Sequence, residues 1–145
     1  MIGKTIDEIH VGKAASFSKT LSESDIYLYA GVTGDFNPAH INEKYSANTF
    51  FKTRIAHGML IGGFISGVLA NQLPGPGSIY FSQKLTFLHP AHIGDTITAR
   101  VEVTEIIPEK NRVRLRTTCE NQDGVLLVDG EAVVSPPKAN KVSPQ

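Results

Sequence analysis

The sequence predicts an α+β fold, one antiparallel sheet wrapped around a single apolar helix. Three observations carry this. The second half of the 145-residue chain holds period-two runs of alternating apolar and polar residues. The runs are separated by short turn signals, which favour antiparallel neighbours over parallel crossovers. The middle of the chain holds one segment, 57–72, that is apolar around most of the helical wheel. A sheet with one apolar face needs such a helix to cover it.

The elements follow in order. Ala15 to Thr20 reads as a short strand. Ser22-Glu23-Ser24-Asp25 places a hydroxyl before an acidic first turn, a good helix start, and the helix should end near Thr33-Gly34. In Asp35-Phe36-Asn37-Pro38-Ala39-His40, Pro38 forbids a simple helix and pushes Asn37 towards an extended conformation. Residues 42–48 read as a short helix, followed by a loop through Phe51 and Arg54. In the apolar segment, glycines 58, 62, 63 and 67 each cost about 1 kcal/mol of helix stability relative to alanine. Close approach of a neighbouring backbone is the expected reason for them. Leu73-Pro74-Gly75-Pro76-Gly77 stops the helix.

Strands are expected over 79–87, 96–104, 112–120 and 125–134, as a meander. The last is apolar on both faces in places, which suggests an edge buried by a second subunit. One domain over 1–134 is expected, with a disordered tail over 135–145 that carries Pro136, Pro137 and Pro144.

Composition excludes several classes. Lys plus Arg (14) equal Asp plus Glu (14), so no net field draws nucleic acid or an anionic membrane. One cysteine, Cys119, rules out an internal disulfide. The longest apolar stretch, 58–70, is too short to span a bilayer. The N-terminus lacks the apolar run of a signal peptide, so a cytoplasmic protein is expected.

Two segments could carry chemistry. Asp35 and His40, five apart, share a face of neither a helix nor a strand, and converge only if the chain bends. Gly34 and Pro38 permit or force that bend. A carboxylate beside an imidazole can orient a water and shuttle its protons near neutral pH. An ordinary turn, with Asp35 capping it and His40 exposed, is the alternative. No further His/Cys cluster at ligand spacing supports a metal site. The second segment is Arg54-Ile55-Ala56-His57-Gly58-Met59, at the start of the apolar helix. Free amides there can bind an oxygen that gains negative charge; alternatively Gly58 serves packing and His57 caps the helix. Ser66, inside the same helix, could bond the carbonyl one turn back.

Together these pieces resemble the MaoC-like, (R)-specific enoyl-CoA hydratase family of the hydratase 2 type. The resemblance rests on Gly34-Asp35-Phe36-Asn37-Pro38-Ala39-His40, then Ala56-His57-Gly58-Met59-Leu60, Phe64-Ile65-Ser66-Gly67 and the stretch 72–80. It covers about residues 10 to 135 and is nearest to short hydratases that supply (R)-3-hydroxyacyl-CoA for polyhydroxyalkanoate synthesis. It implies a hot-dog fold, a long helix wrapped by an antiparallel sheet, and a homodimer. It implies that Asp35 and His40 activate water, that Asn37 supports them, and that Ser66 lines the site. The Gly58 amide would hold the thioester oxygen. The implied substrate is an acyl-CoA thioester, with a carrier-protein thioester chemically the same at its reacting end. No metal or redox cofactor is implied. A hot-dog thioesterase and a non-catalytic acyl-CoA-binding subunit are the alternatives.

Overall fold

The computed structural model describes residues 2–139. A 3-10 turn, Ile6–Glu8, leads into strand β1, Ala14–Thr20. Helix α1, Glu23–Thr33, begins at the expected cap: Asp25 N–H donates to Ser22 Oγ at 3.1 Å, and Ser22 N–H donates to the Asp25 carboxylate at 2.9 Å. A hydroxyl cap of this kind contributes about 1 kcal/mol. Gly34 closes the helix at φ 80°, a left-handed conformation open to glycine at no Cβ cost. Two short helices follow, α2, Pro38–Ile41, and α3, Glu43–Ser46. Pro38 is accommodated at the first position of α2, where a missing N–H costs nothing, while Asn37 before it keeps ψ 127°.

Helix α4, Gly58–Asn71, is the longest helix. Strands β2, Ile79–Phe87, β3, Thr96–Ile107, β4, Arg112–Glu120, and β5, Leu126–Ser135, complete the chain, with a 3-10 turn at Pro108–Lys110. The sheet order is β1-β3-β4-β5-β2 and every neighbouring pair is antiparallel. Helix α4 crosses the concave face of this sheet. Its Ile61, Ile65, Val68 and Leu69 are buried against Ile97, Val101, Leu115 and Val134 in one core. Each such side chain contributes roughly 1.5–3 kcal/mol by leaving water. No helix among the described residues is long and apolar enough to cross a membrane.

Four expectations need correction. β2 does not pair with β3; it adds to the far edge beside β5, so only β3-β4-β5 form a meander. β5 is therefore internal, and the free edges are β1 and β2. Nor does backbone approach explain the helix glycines. A Cβ on Gly58 would meet the Phe87 ring at 2.8 Å and one on Gly62 would meet Leu85 Cδ1 at 2.8 Å, whereas Gly63 and Gly67 face open space. The close backbone approach occurs at Gly130 instead, where a Cβ would lie 1.9 Å from the Lys84 carbonyl oxygen of β2. Finally, Ser135 ends β5, Asn111 Nδ2 donates to the Pro136 carbonyl at 2.8 Å, and Pro136 and Pro137 are buried. The tail expected from 135 thus stays on the fold through 137; residues 140–145 lie outside the described residues.

Helix α4 is also less enclosed than its apolar wheel implies. Met59, Gly63, Ser66 and Ala70 form an exposed strip at helical spacing.

Candidate active site

The bend expected between Asp35 and His40 is present and held locally. Asp35 N–H donates to Thr33 Oγ1 at 3.2 Å, Asn37 N–H donates to Asp35 Oδ1 at 3.2 Å, and Ala39 N–H donates to Asn37 Oδ1 at 3.0 Å. Asn37 is thus the cap of α2, and it does not line the cavity that Asp35 and His40 share. His40, in the only turn of α2, is anchored by Nδ1 to the Ile55 carbonyl at 2.7 Å. A carbonyl can only accept, so Nδ1 carries the proton and Nε2 of the neutral ring is bare. The backbone reinforces this contact: Ile55 N–H donates to the Ala39 carbonyl at 3.2 Å and Ala56 N–H to the Ala91 carbonyl at 2.8 Å.

Segment 53–57 is itself stapled by Arg54, whose side chain is 11% exposed. Its Nη2 donates to Glu23 at 2.8 Å and its Nη1 to the Tyr27 hydroxyl at 2.9 Å, while Nε lies 3.4 Å from Glu43. One planar guanidinium thereby joins α1 and α3 to the strand of chain that anchors His40. Nothing in the sequence pattern separates Arg54 from an ordinary surface arginine.

The His57 side chain makes no cap hydrogen bond to α4. Its ring is 2% exposed, packs on Tyr29 at 4.7 Å between centroids, and stacks on His40 at 4.0 Å with the planes 31° apart. Its Nε2 donates to the Asp35 carbonyl at 3.0 Å, leaving Nδ1 buried without a partner. Burial holds the imidazole below its ordinary value, and the neighbouring His40 adds to the effect, against the opposing Asp35 carbonyl.

A carboxylate oxygen of Asp35 and ring nitrogens of His40 and His57 lie within 4.8 Å of one another. That spacing alone would suit a divalent ion. The ring planes are tilted 31° to one another, and each ring has already given one nitrogen to a backbone carbonyl, so at most one nitrogen of each is left to a ligand.

Asp35, His40 and Gly58 line one cavity of about 390 Å³. Its other walls are largely apolar, from Phe51, Ile61, Phe87, Leu127 and Val128 among others. Gly58 is the first residue of a 14-residue helix, and neither its amide nor that of Met59 has a hydrogen-bond partner among the described residues. The cavity thus offers an acid–base pair at one side, free amides at the positive end of a helix dipole at the other, and apolar walls. This combination can hold a carbonyl oxygen while a water is activated a short distance away.

Ser66 does not share this cavity. Eight residues beyond Gly58, it lies about 12 Å along the helix, on the exposed strip. It opens onto a second groove with Met59, Gly63, Tyr80, Phe81 and Gln83. There the Tyr80 hydroxyl, pushed up to about 12 by burial, is hydrogen-bonded to Gln83 Oε1, and Gln83 Nε2 donates to Thr117 Oγ1 at 2.8 Å. The resemblance implies that Ser66 lines the active site; within one chain it lines this second groove and not the cavity that holds Asp35.

Comparison with known proteins agrees with this geometry. The family described as "MaoC like domain" matches residues 8–124. An "(R)-specific enoyl-CoA hydratase" of Rhodospirillum rubrum is 56% identical over 131 residues, covering 90% of each chain. Among solved structures, "R-Hydratase PhaJ1 from Pseudomonas aeruginosa in the unliganded form" superposes with a TM-score of 0.89 at 42% identity, covering 99% of this chain and 96% of that one. An "(R)-hydratase from A. caviae involved in PHA biosynthesis" superposes with a TM-score of 0.87 at 43% identity, covering 89% and 98%.

Proposed function

The chain belongs to the MaoC-like domain family and has its hot-dog fold, and from that premise we propose that it is an (R)-specific enoyl-CoA hydratase. It adds water reversibly across the 2,3-double bond of a trans-2-enoyl thioester. The observation that carries this reading is one cavity walled by Asp35, His40 and the start of α4 at Gly58.

In the proposed reaction the thioester oxygen sits on the Gly58 amide. Hydroxide character adds to C3, and the electron pair of the double bond moves to the thioester, giving an enolate-like oxygen. Free amides aimed at that oxygen bind it more tightly as its charge grows, which lowers the barrier rather than merely improving binding. The water lies between the Asp35 carboxylate and the bare Nε2 of His40. The pair takes one proton from the water and returns one to C2, so OH is gained at C3 and H at C2. Because the thioester itself acidifies C2 and activates C3, the scheme uses no metal or redox cofactor. The acyl carrier is CoA, with carrier-protein thioesters equally suited at the reacting end. Cytoplasmic operation and supply of (R)-3-hydroxyacyl-CoA belong to the same reading.

The working unit in this proposal is a homodimer. Support comes from β2, a free sheet edge on which Ile79, Phe81 and Phe87 are about half exposed, and from the uncovered α4 strip beside it. Two β2 edges related by a two-fold axis run antiparallel. The Phe87 end of one then meets the Ile79 end of the other, carrying the partner's Ser66 groove towards the open side of the cavity.

The test is purified protein with crotonyl-CoA, following the enoyl absorbance and free thiol together. Loss of absorbance without thiol release supports hydration. Thiol release without hydration moves the protein to the thioesterases, and no reaction with short, medium or carrier-bound enoyl thioesters leaves only a binding role.

A further inference from the structure

His57 stands at the N-cap of α4, where a short polar side chain ordinarily accepts a hydrogen bond from the first-turn amides. It makes no such bond. Its ring turns inward, Nε2 donating to the Asp35 carbonyl at 3.0 Å and the ring face lying 4.0 Å from that of His40. Two consequences follow. The Met59 amide stays free beside that of Gly58, whereas a capping serine or aspartate would accept from Met59 or Leu60. And the loop carrying Asp35 is tied by a direct hydrogen bond to the residue that immediately precedes α4.

We propose that His57 is a positioning residue that fixes the spacing between the two halves of the site. Its Nε2–H ties the Asp35 loop, and its ring backs His40, against the helix end that presents the Gly58 amide. The inference rests on the hydratase reading. Water activation and oxyanion binding must act on atoms C3 and the thioester oxygen of one substrate, so their separation is set by the protein. A displacement on the order of 1 Å in such a constellation can cost roughly 10²-fold in rate. His57 borders the cavity but is only 2% exposed, and its Nε2 is committed to the Asp35 carbonyl, so it acts through Asp35 and His40.

The test compares two variants of nearly equal shape, His57→Gln and His57→Met. Glutamine can donate to the Asp35 carbonyl; methionine cannot. With crotonyl-CoA, His57→Met should lower kcat by roughly 10–100-fold with KM within about threefold of wild type, in line with outer-shell positioning groups elsewhere. His57→Gln should recover most of that loss. Thermal melts and sedimentation of both variants accompany the kinetics. Equal kcat in the two variants, or a Met variant with wild-type turnover, overturns the inference. So does a Met variant that loses its fold or its assembly, because His57 is then simply core. An inactive wild type defeats the hydratase reading itself, whereas an active wild type indifferent to the Gln/Met exchange defeats only the role of His57.

Discussion

The imidazoles of His40 and His57 stack 4.0 Å apart, and each surrenders one nitrogen to a backbone carbonyl, Ile55 for His40 and Asp35 for His57. His57 is the buried member, held below the ordinary imidazole value by burial and by its neighbour. In the unfolded chain it would titrate near 6.5. Below that pH the unfolded state takes up a proton that the folded state refuses. Stability must therefore fall as pH drops below about 6.5, with a slope from this group of at most about 1.4 kcal/mol per pH unit, until the depressed folded value is reached. His57→Gln should flatten the dependence of Tm on pH between about 7 and 5. An unchanged slope would mean that His57 takes up its proton alike in the folded and unfolded chains.

Asp35 and His40 are the proposed acid–base pair, so Asp35→Asn and His40→Gln should each reduce turnover by roughly 10²–10⁴-fold. Asp35 is exposed and His40 half-buried in one chain, so neither change should disturb the core. Circular dichroism and melting should match the wild type. Turnover close to wild type in either variant would remove that residue from the mechanism.

Gly58 has a narrower requirement. A methyl at its Cβ would lie 2.8 Å from the Phe87 ring, which forms a wall of the cavity. Gly58→Ala keeps a helical residue and its N–H but must displace that ring. Turnover should fall on the order of tenfold or more, by disturbing the geometry of oxyanion binding. The double variant Gly58→Ala/Phe87→Leu should recover part of the loss. Full activity in the single variant would show that the ring is not fixed and that Gly58 is there for other reasons.

Ser66 and β2 report on assembly. Ser66 faces the groove beside the free edge rather than the cavity holding Asp35, so Ser66→Ala should cost turnover much less than either acid–base variant. Phe81→Glu, at a bulged and half-exposed position of β2, should yield monomers by analytical ultracentrifugation, with activity falling in parallel. A Phe81→Glu dimer with wild-type activity would place the interface elsewhere.

The period-two runs of β3, β4 and β5 and the capped start of α1 were readable because local chemistry decides them: alternation for the strands, the Ser22/Asp25 exchange for the helix. The partner of β2 was not, because alternation fixes which face a strand buries and says nothing about its neighbour. The same gap made β5 look like an edge. At the site, glycine and proline mark the bend between Asp35 and His40 and a helix start marks the Gly58 amide, but the family resemblance rather than the spacing set them above an ordinary turn and added Asn37. The partner of His57 was not readable either: a cap of α4 was one alternative, and the Asp35 carbonyl that it binds is 22 residues away in sequence. Arg54 joins elements 31 and 11 residues distant, a closure that no local pattern announces. Ser66 lay on a helix whose apolar wheel hid an exposed strip, since small and apolar residues on an uncovered face give the same pattern as residues in a core.

The central claim is stereospecific hydration by this site, and the most direct measurement is the handedness of its product. Crotonyl-CoA is incubated with the protein, and the 3-hydroxybutyryl-CoA formed is coupled separately to dehydrogenases specific for the (R) and the (S) enantiomer. Signal from the (R)-specific enzyme alone, abolished together with enoyl loss in Asp35→Asn, is the predicted result. An (S) or racemic product, or an (R) product that survives Asp35→Asn and His40→Gln undiminished, would contradict the account.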